Sequence, residues 1–127
     1  MLFFEKFKID KDKKILDIGT NMGSFVDQVH KRGWKNSFGI DISDASIKFG
    51  KKKYKNISKN LVVYDGQKMP FKNESFDIVC MFDLIEHVPN VKKLLLEVNR
   101  ILKKDGIIIF QTPNKPFNII WELSRGK

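Results

Sequence analysis

The chain is short of several things. It has one cysteine, Cys80, which excludes an internal disulfide framework and leaves no thiolate cluster for zinc. Arginine is almost as scarce: Arg32, Arg100 and Arg125 stand among 24 basic residues, and the rest are lysine. Long apolar runs are missing too. The longest, Ile78–Phe82, falls far short of the roughly 20 residues that a membrane-spanning helix needs. The opening Met1-Leu2-Phe3-Phe4-Glu5-Lys6 meets charge too soon for a secretory signal. Neither an internal repeat nor a linker nor a low-complexity tract is present. These absences set the expectation of one soluble domain in a reducing cytoplasm.

What is there fits that expectation. A length of 127 residues, 42% of them hydrophobic, suffices for one domain with a real core. The 24 basic residues outweigh 15 acidic ones, a formal charge of +9, and a basic surface attracts polyanions. Yet arginine, whose planar fork suits phosphate and base recognition, is nearly absent. The lysines are scattered, and the tightest run, Lys51-Lys52-Lys53, falls where a helix face would be solvated. A generally lysine-rich surface is the preferred expectation over a dedicated nucleic-acid site.

Apolar periodicity alternates between two kinds along the chain. Lys14–Ile18 reads as a strand that stops at Gly19. Phe25, Val26 and Val29 follow at helical spacing, with Gly33 placed to end the helix. Ser37–Ile42 predicts a second strand, and Ser43 and Asp44 start a helix that runs to about Tyr54, weakened by Gly50. Asn60–Tyr64 and the almost wholly apolar Phe76–Phe82 predict strands three and four. Val91, Leu94, Leu95, Val98, Ile101 and Leu102 mark one helical stripe. Asn90 caps its start, and Lys103 and Lys104 suit the negative end of its dipole. Asp105-Gly106 then turns into a fifth strand ending at Gln111. Alternating strands and helices predict an α/β fold with a doubly wound, mostly parallel sheet of about five strands and helices on both faces. Ligands of such sheets bind outside the carboxyl ends of the strands, near the reversal of strand order.

Asp17 lies at the end of strand one, Asp41 at the end of strand two, Asp65 after strand three and Asp83 after strand four. Asp favours turns, which accounts for one or two of these positions. Four together point to a ligand with positive charge or sugar hydroxyls. The loop Gly19-Thr20-Asn21-Met22-Gly23 opens the first helix, where glycine permits close approach and backbone N–H groups are free. Against a G-x-G-x-x-G dinucleotide fingerprint only Gly19 matches. Against G-x-G-x-G, Gly19 and Gly23 match, and Asn21 is the mildest departure because Asn tolerates left-handed geometry. Asp17 would repel a diphosphate and suit an ammonium. Asp41, 22 residues beyond Gly19, stands near the spacing of an acid that binds ribose hydroxyls. Asp65, followed by Gly66-Gln67, is either an acceptor for an adenine amino group or a plain turn residue.

At these residues the chain resembles a known family. Ile15-Leu16-Asp17-Ile18-Gly19-Thr20-Asn21-Met22-Gly23-Ser24-Phe25 is similar to motif I of class I S-adenosylmethionine-dependent methyltransferases. Phe38–Ser43, Asp65–Phe71 with Ser75–Val79, Leu84–Pro89 and Val98–Gly106 resemble its later segments in order, over residues 14–114. Within the family the small-molecule and ubiquinone-type group is most similar, and Thr112-Pro113-Asn114 fits it. The resemblance implies a Rossmann-like methyltransferase fold with S-adenosyl-L-methionine as cofactor. It further implies that Gly19, Thr20, Asn21 and Gly23 hold the methionine end, with Asp17 favouring its ammonium. Asp41 would take the ribose, Ile42 would pack on adenine, Asp65, Gly66 and Gln67 would fix the adenine edge, and Phe82 would face the methionine portion. His87 is the candidate base if the acceptor must lose a proton, as against a helix-start or packing histidine. Glu86 and Asp83 share that ambiguity, and His30 is read as structural.

Family domains carry two more strands after the fifth, one of them antiparallel. Pro113–Lys127 leaves room for one short element, so residues 1–127 read as a single domain lacking its C-terminal strands. Strand five would then be an unpaired apolar edge and a route to homo-oligomers. Leu2, Phe3, Phe4, Phe7 and Ile9 would need cover. The expected activity is methyl transfer to a small-molecule acceptor. The alternative is a non-catalytic cofactor-binding or interaction module, favoured by the missing acceptor region and Asn21. A nicotinamide-dinucleotide-binding domain is disfavoured by Asp17 and Ser24.

Overall fold

Ile15-Leu16-Asp17-Ile18 forms β1, a strand buried at every position and therefore central. The computed structural model describes residues 3–82, 84, 87–111 and 119–122. In it, β1 pairs in parallel with β2 (Ser37–Asp41) on one side and with β4 (Phe76–Phe82) on the other. β3 (Leu61–Val63) extends the sheet beyond β2, and β5 (Leu102–Gln111) extends it beyond β4. A sixth strand, β6 (Ile119–Glu122), runs antiparallel to β5, giving the order β3-β2-β1-β4-β5-β6. The winding therefore reverses beside β1, and the carboxyl ends of β1 and β4 flank the point of reversal.

Alternation along the strands sends side chains to two layers. Leu16, Ile18, Val79, Met81 and Ile108 pack with Leu94, Val98 and Ile101 of helix α4 (Val91–Ile101). Ile15, Ile78, Cys80 and Ile109 face the other way, onto Val29 of helix α2 (Ser24–Lys31), Trp34, and Phe4 of helix α1 (Phe3–Lys6). Helix α3 (Asp44–Lys53) joins Val26, Ile57 and Leu61 through Ile47. The fold class expected from the alternating pattern is the one observed.

Several helix ends follow from local chemistry. The Ser43 hydroxyl accepts from the Ser46 N–H, and Asn90 Oδ1 accepts from the Lys93 N–H at 3.0 Å, capping α3 and α4 as their residue types predict. At the end of α2, Gly33 has φ 114°; its N–H donates to His30 O and that of Trp34 to Val29 O. This is the doubly bonded glycine stop that satisfies the last carbonyls of a helix.

Four expectations are corrected. Helix α4 ends at Ile101, so Lys103 and Lys104 belong to β5 and not to the helix end. Leu102 pairs with Phe76, and the register then shifts before Ile78. Asp105-Gly106 is thus an irregularity inside the strand, and Gly106 is needed because a Cβ there would lie 2.5 Å from the Leu102 side chain. A 3₁₀ helix, Lys55–Asn60, stands between α3 and β3, anchored by the buried Ile57, and takes up Asn60, the residue expected to open strand three. The edge of β5 is also not open, because Ile119-Ile120-Trp121, β-branched and aromatic, pairs with it within the chain. The association route expected along that edge is filled, although residues 113–127 do contribute one short element. Among the N-terminal apolar residues, Phe4 is buried edge-on to Trp34 (5.5 Å between centroids) and Phe25, whereas Phe7 is exposed. Leu2 lies outside the described residues.

Candidate functional site

Where the sheet reverses, a cleft of about 380 Å³ opens at the carboxyl edge. Gly19, Asn21, Asp41, Ile42, Gly66, Phe82 and His87 line it, each singled out in the sequence by its pattern or, for Ile42 and Phe82, by the family resemblance. Its volume falls in the lower part of the roughly 300–1,000 Å³ range of small-molecule sites.

The loop after β1 is held by backbone. The Gly19 and Thr20 N–H groups both donate to Ile40 O (2.9 and 3.0 Å), and Gly23 N–H donates to Thr20 O. Three of its residues have positive φ: Gly19 (76°), Asn21 (59°) and Gly23 (95°). Asn21 therefore occupies the left-handed position that the glycine pattern reserves, as its tolerance predicts. A Cβ at Gly19 would lie 2.9 Å from Leu84 Cδ1, so this glycine lets the loop after β1 meet the segment after β4.

Asp41 is the hub. Its Oδ2 accepts from the Asn21 N–H at 2.7 Å and its Oδ1 from the Ser43 N–H at 2.9 Å. A carboxylate offers about four lone-pair sites. Two are spent on orienting the group, which leaves acceptor capacity for further donors. Ile42, 67% exposed, presents an apolar surface on the same rim.

Asp17 differs in kind. It is 4% exposed, faces the α2 layer, and stands in register with Gly39 and Cys80. Burial pushes its carboxyl up to about 7. The Thr20 hydroxyl draws it back part of the way, by an approach that falls short of hydrogen-bond geometry, and Asp41 adds repulsion. Thr20 is itself buried, its side chain against Gly39 and not in the cleft. Gly23 caps α2 against Leu61.

Asp65 Oδ1 accepts from the Gln67 and Lys68 N–H groups at 2.8 and 3.1 Å, and these bonds hold its carboxyl below the usual range. Gln67 lines a smaller adjoining cavity of about 110 Å³ with Tyr64, Gly66 and Lys93. Phe82 lies edge-on to Phe25 at 4.9 Å, on the α2 side of the cleft. His87 is exposed at the rim, and its N–H donates to Leu84 O. Asp83, Glu86 and Thr112–Asn114 lie outside the described residues. His30 sits partly buried on α2, where desolvation and Lys35 lower its pKa.

The sequence pattern missed Tyr64, Leu84, Val88 and Pro89, which complete the lining. Tyr64 could have been found from its position alone, at the carboxyl end of β3. Burial pushes its phenol up, and Asp41, Asp65 and Glu97 add to the shift.

An open, doubly wound sheet with a cleft at the switch point defines an α/β domain of the type whose ligands bind at the strand ends. Comparison narrows the class: a family model described as a methyltransferase domain matches residues 16–110. The chain belongs to the class I S-adenosylmethionine-dependent methyltransferase family. It is 37% identical over 126 residues to an uncharacterised protein of Methanocaldococcus jannaschii, covering 95% of this chain and 46% of that protein. It is 30% identical over 129 residues to the demethylmenaquinone methyltransferase of Lactobacillus johnsonii, covering 95% of this chain and 52% of that enzyme. The crystal structure of an S-adenosylmethionine-dependent methyltransferase from Aquifex aeolicus shares the fold with a TM-score of 0.74 at 18% identity, covering 90% of this chain and 66% of that one. The chain thus spans about half the length of the curated relatives it matches. Among the described residues no helix is long and apolar enough to cross a membrane.

Proposed function

We propose that this chain forms the cofactor-binding domain of a methyltransferase, takes S-adenosyl-L-methionine in the cleft beside β1 and β4, and serves methyl transfer to a small-molecule acceptor. The observation that carries this reading is Asp41, whose carboxylate is oriented by two backbone N–H groups and keeps acceptor capacity toward the cleft. Bonds from ribose hydroxyls to such a charged acceptor contribute roughly 1.5–3 kcal/mol each. Ile42 would cover the adenine ring, with Gly66 and Gln67 at its edge and Asp65 holding their turn. Gly19 and Asn21 would line the methionine end, and Phe82 would give it an apolar wall. Thr20 and Gly23 would shape the loop from behind. Asp17, beneath that loop and with its pKa raised to about 7 by burial, would be drawn into its ionised form by the ligand's cationic end and attract it in turn.

When bound, the cofactor supplies a methyl group already activated by a sulfonium. The protein's own work is then orientation and exclusion of water. His87, which lines the rim of the cleft, would accept the proton from an acceptor that must lose one. The names of relatives, demethylmenaquinone methyltransferase among them, support a small-molecule acceptor. Calorimetric titration with S-adenosylhomocysteine and S-adenosylmethionine tests the reading. Saturable binding of both is expected, and no heat from folded protein would end it.

A further inference from the structure

Helix α4 begins just beyond Pro89, on the rim of the cleft, and grips the loop that forms the opposite rim. Lys93, Glu97 and Arg100, at i, i+4 and i+7, share one face of the helix. Lys93 Nζ donates to Gln67 Oε1. Glu97 Oε1 accepts from the Met69 N–H at 2.7 Å. Arg100 Nη2 donates to Met69 O at 3.0 Å, and Nη1 donates to Phe71 O at 2.8 Å and Asn73 Oδ1 at 3.1 Å. Its Nε and Nη2 close onto Glu97 at 2.7 and 3.0 Å. A guanidinium has five N–H donors, and all five are engaged here. The pair is mutually reinforcing: Arg100 draws the Glu97 carboxyl down, and Glu97 raises the Arg100 pKa.

This loop has no regular structure between β3 and β4, yet Tyr64 and Gly66 at its start line the cleft, Gly66 so close to Ile42 that a Cβ on it would touch that side chain at 3.5 Å. We propose that Glu97 and Arg100 are positioning residues for the cofactor, holding the Tyr64–Gln67 rim at the distance that binding needs by fixing the backbone at Met69 and Phe71. The inference rests on the cofactor reading above. A lysine at 100 would keep the charge but offer three donors from a point, without the planar fork, so it could not serve Glu97 and two carbonyls together.

The experiment pairs calorimetric titration of S-adenosylhomocysteine with amide hydrogen exchange on three full-chain variants. Arg100→Lys is expected to raise the Kd about tenfold and to speed exchange within residues 64–71 while leaving β1 and β4 protected. Glu97→Gln keeps an acceptor for Met69 N–H and is expected to raise the Kd about two- to threefold. Lys103→Met, which removes an ion pair to Asp77 at the opposite edge of the sheet, is expected to leave the Kd unchanged. Faster exchange in the loop with an unaltered Kd would overturn the proposal, as would exchange that rises equally everywhere. If Arg100→Lys fails to fold, Glu97→Gln decides by the same criteria. Absence of binding by the unaltered chain would instead refute the cofactor reading itself, before any variant is compared.

Discussion

The loops after β1 and β3 reach the same cleft but are held in opposite ways. The first is fastened mainly backbone to backbone, with Gly19 and Thr20 bonded to Ile40 O and one side chain, Asp41, taking the Asn21 N–H, and neighbouring chain is pressed against it where glycine leaves room. The second has backbone bonds at its ends, but its middle, Met69 to Asn73, is fastened by side chains, Glu97 and Arg100, that belong to a helix some 27 to 31 residues further on. A backbone-held loop depends on residues being absent, since any Cβ in the wrong place breaks it. A side-chain-held loop depends on one group being present with its full set of donors. The first should therefore fail abruptly on substitution, and the second by degrees.

The harshest test of the first loop is Gly50→Ala. Gly50 lies inside α3, where a Cβ would stand 1.8 Å from Met22 O, so the helix sits flush on the loop. Alanine would gain about 1 kcal/mol of helix propensity, yet it must push α3 off the backbone beneath it. A net loss of about 3 kcal/mol or more is expected, read from the urea midpoint, with cofactor binding weakened alongside. An unchanged midpoint would mean that α3 and the loop yield freely, and the contrast between the loops would vanish.

A second test concerns the charge beneath that loop. Asp17 is held at about 7 by burial, above its ordinary 3.8. The native state thus binds more protons than the unfolded chain between those values. Its contribution to stability is complete below about pH 4 and is lost as pH rises through about 7. Unfolding free energy should fall by roughly 2.5 kcal/mol from pH 5 to pH 8 on this account. Asp17→Asn should flatten that slope and weaken binding of a cationic ligand. A slope as steep in the variant would assign the effect to another group.

How much could be read in advance follows the same division. Gly19, Asn21 and Gly23 were legible because positive φ is a local demand that only a few residue types meet, and all three show it. Asp41 was legible because a strand's end fixes which edge of the sheet it reaches. Gly50 was visible only as a weak point in a helix; its cause, a carbonyl of the loop 28 residues earlier, exists only after packing. Arg100 carried no local mark at all, since loop carbonyls become its partners through tertiary structure alone. The antiparallel β6 was hidden similarly: Ile119–Trp121 is apolar, but which edge it would pair with is not a property of the segment.

Smaller effects sharpen the comparison at the ligand. Asp41→Asn keeps one acceptor oxygen but turns an NH₂ toward the N–H of either Asn21 or Ser43. Weakening of S-adenosylhomocysteine binding by roughly 10- to 100-fold is expected from a lost charged hydrogen bond. If the Kd moves less than twofold, the ribose is not at Asp41.

Ile42→Ala is the mildest and the most discriminating change. The side chain is 67% exposed in the free protein, so the fold gains little from it, and unfolding free energy should stay within about 0.5 kcal/mol. A ligand ring laid on it would remove that surface from water, and losing three carbons there should cost about 1 kcal/mol, a roughly fivefold weaker Kd. Stability unchanged with binding reduced is the signature of a residue kept apolar for a ligand. Stability reduced with binding intact would make Ile42 part of the packing between the β2 and β3 rims. The two loops would then be coupled directly across the cleft, and Gly50→Ala should loosen hydrogen exchange in both.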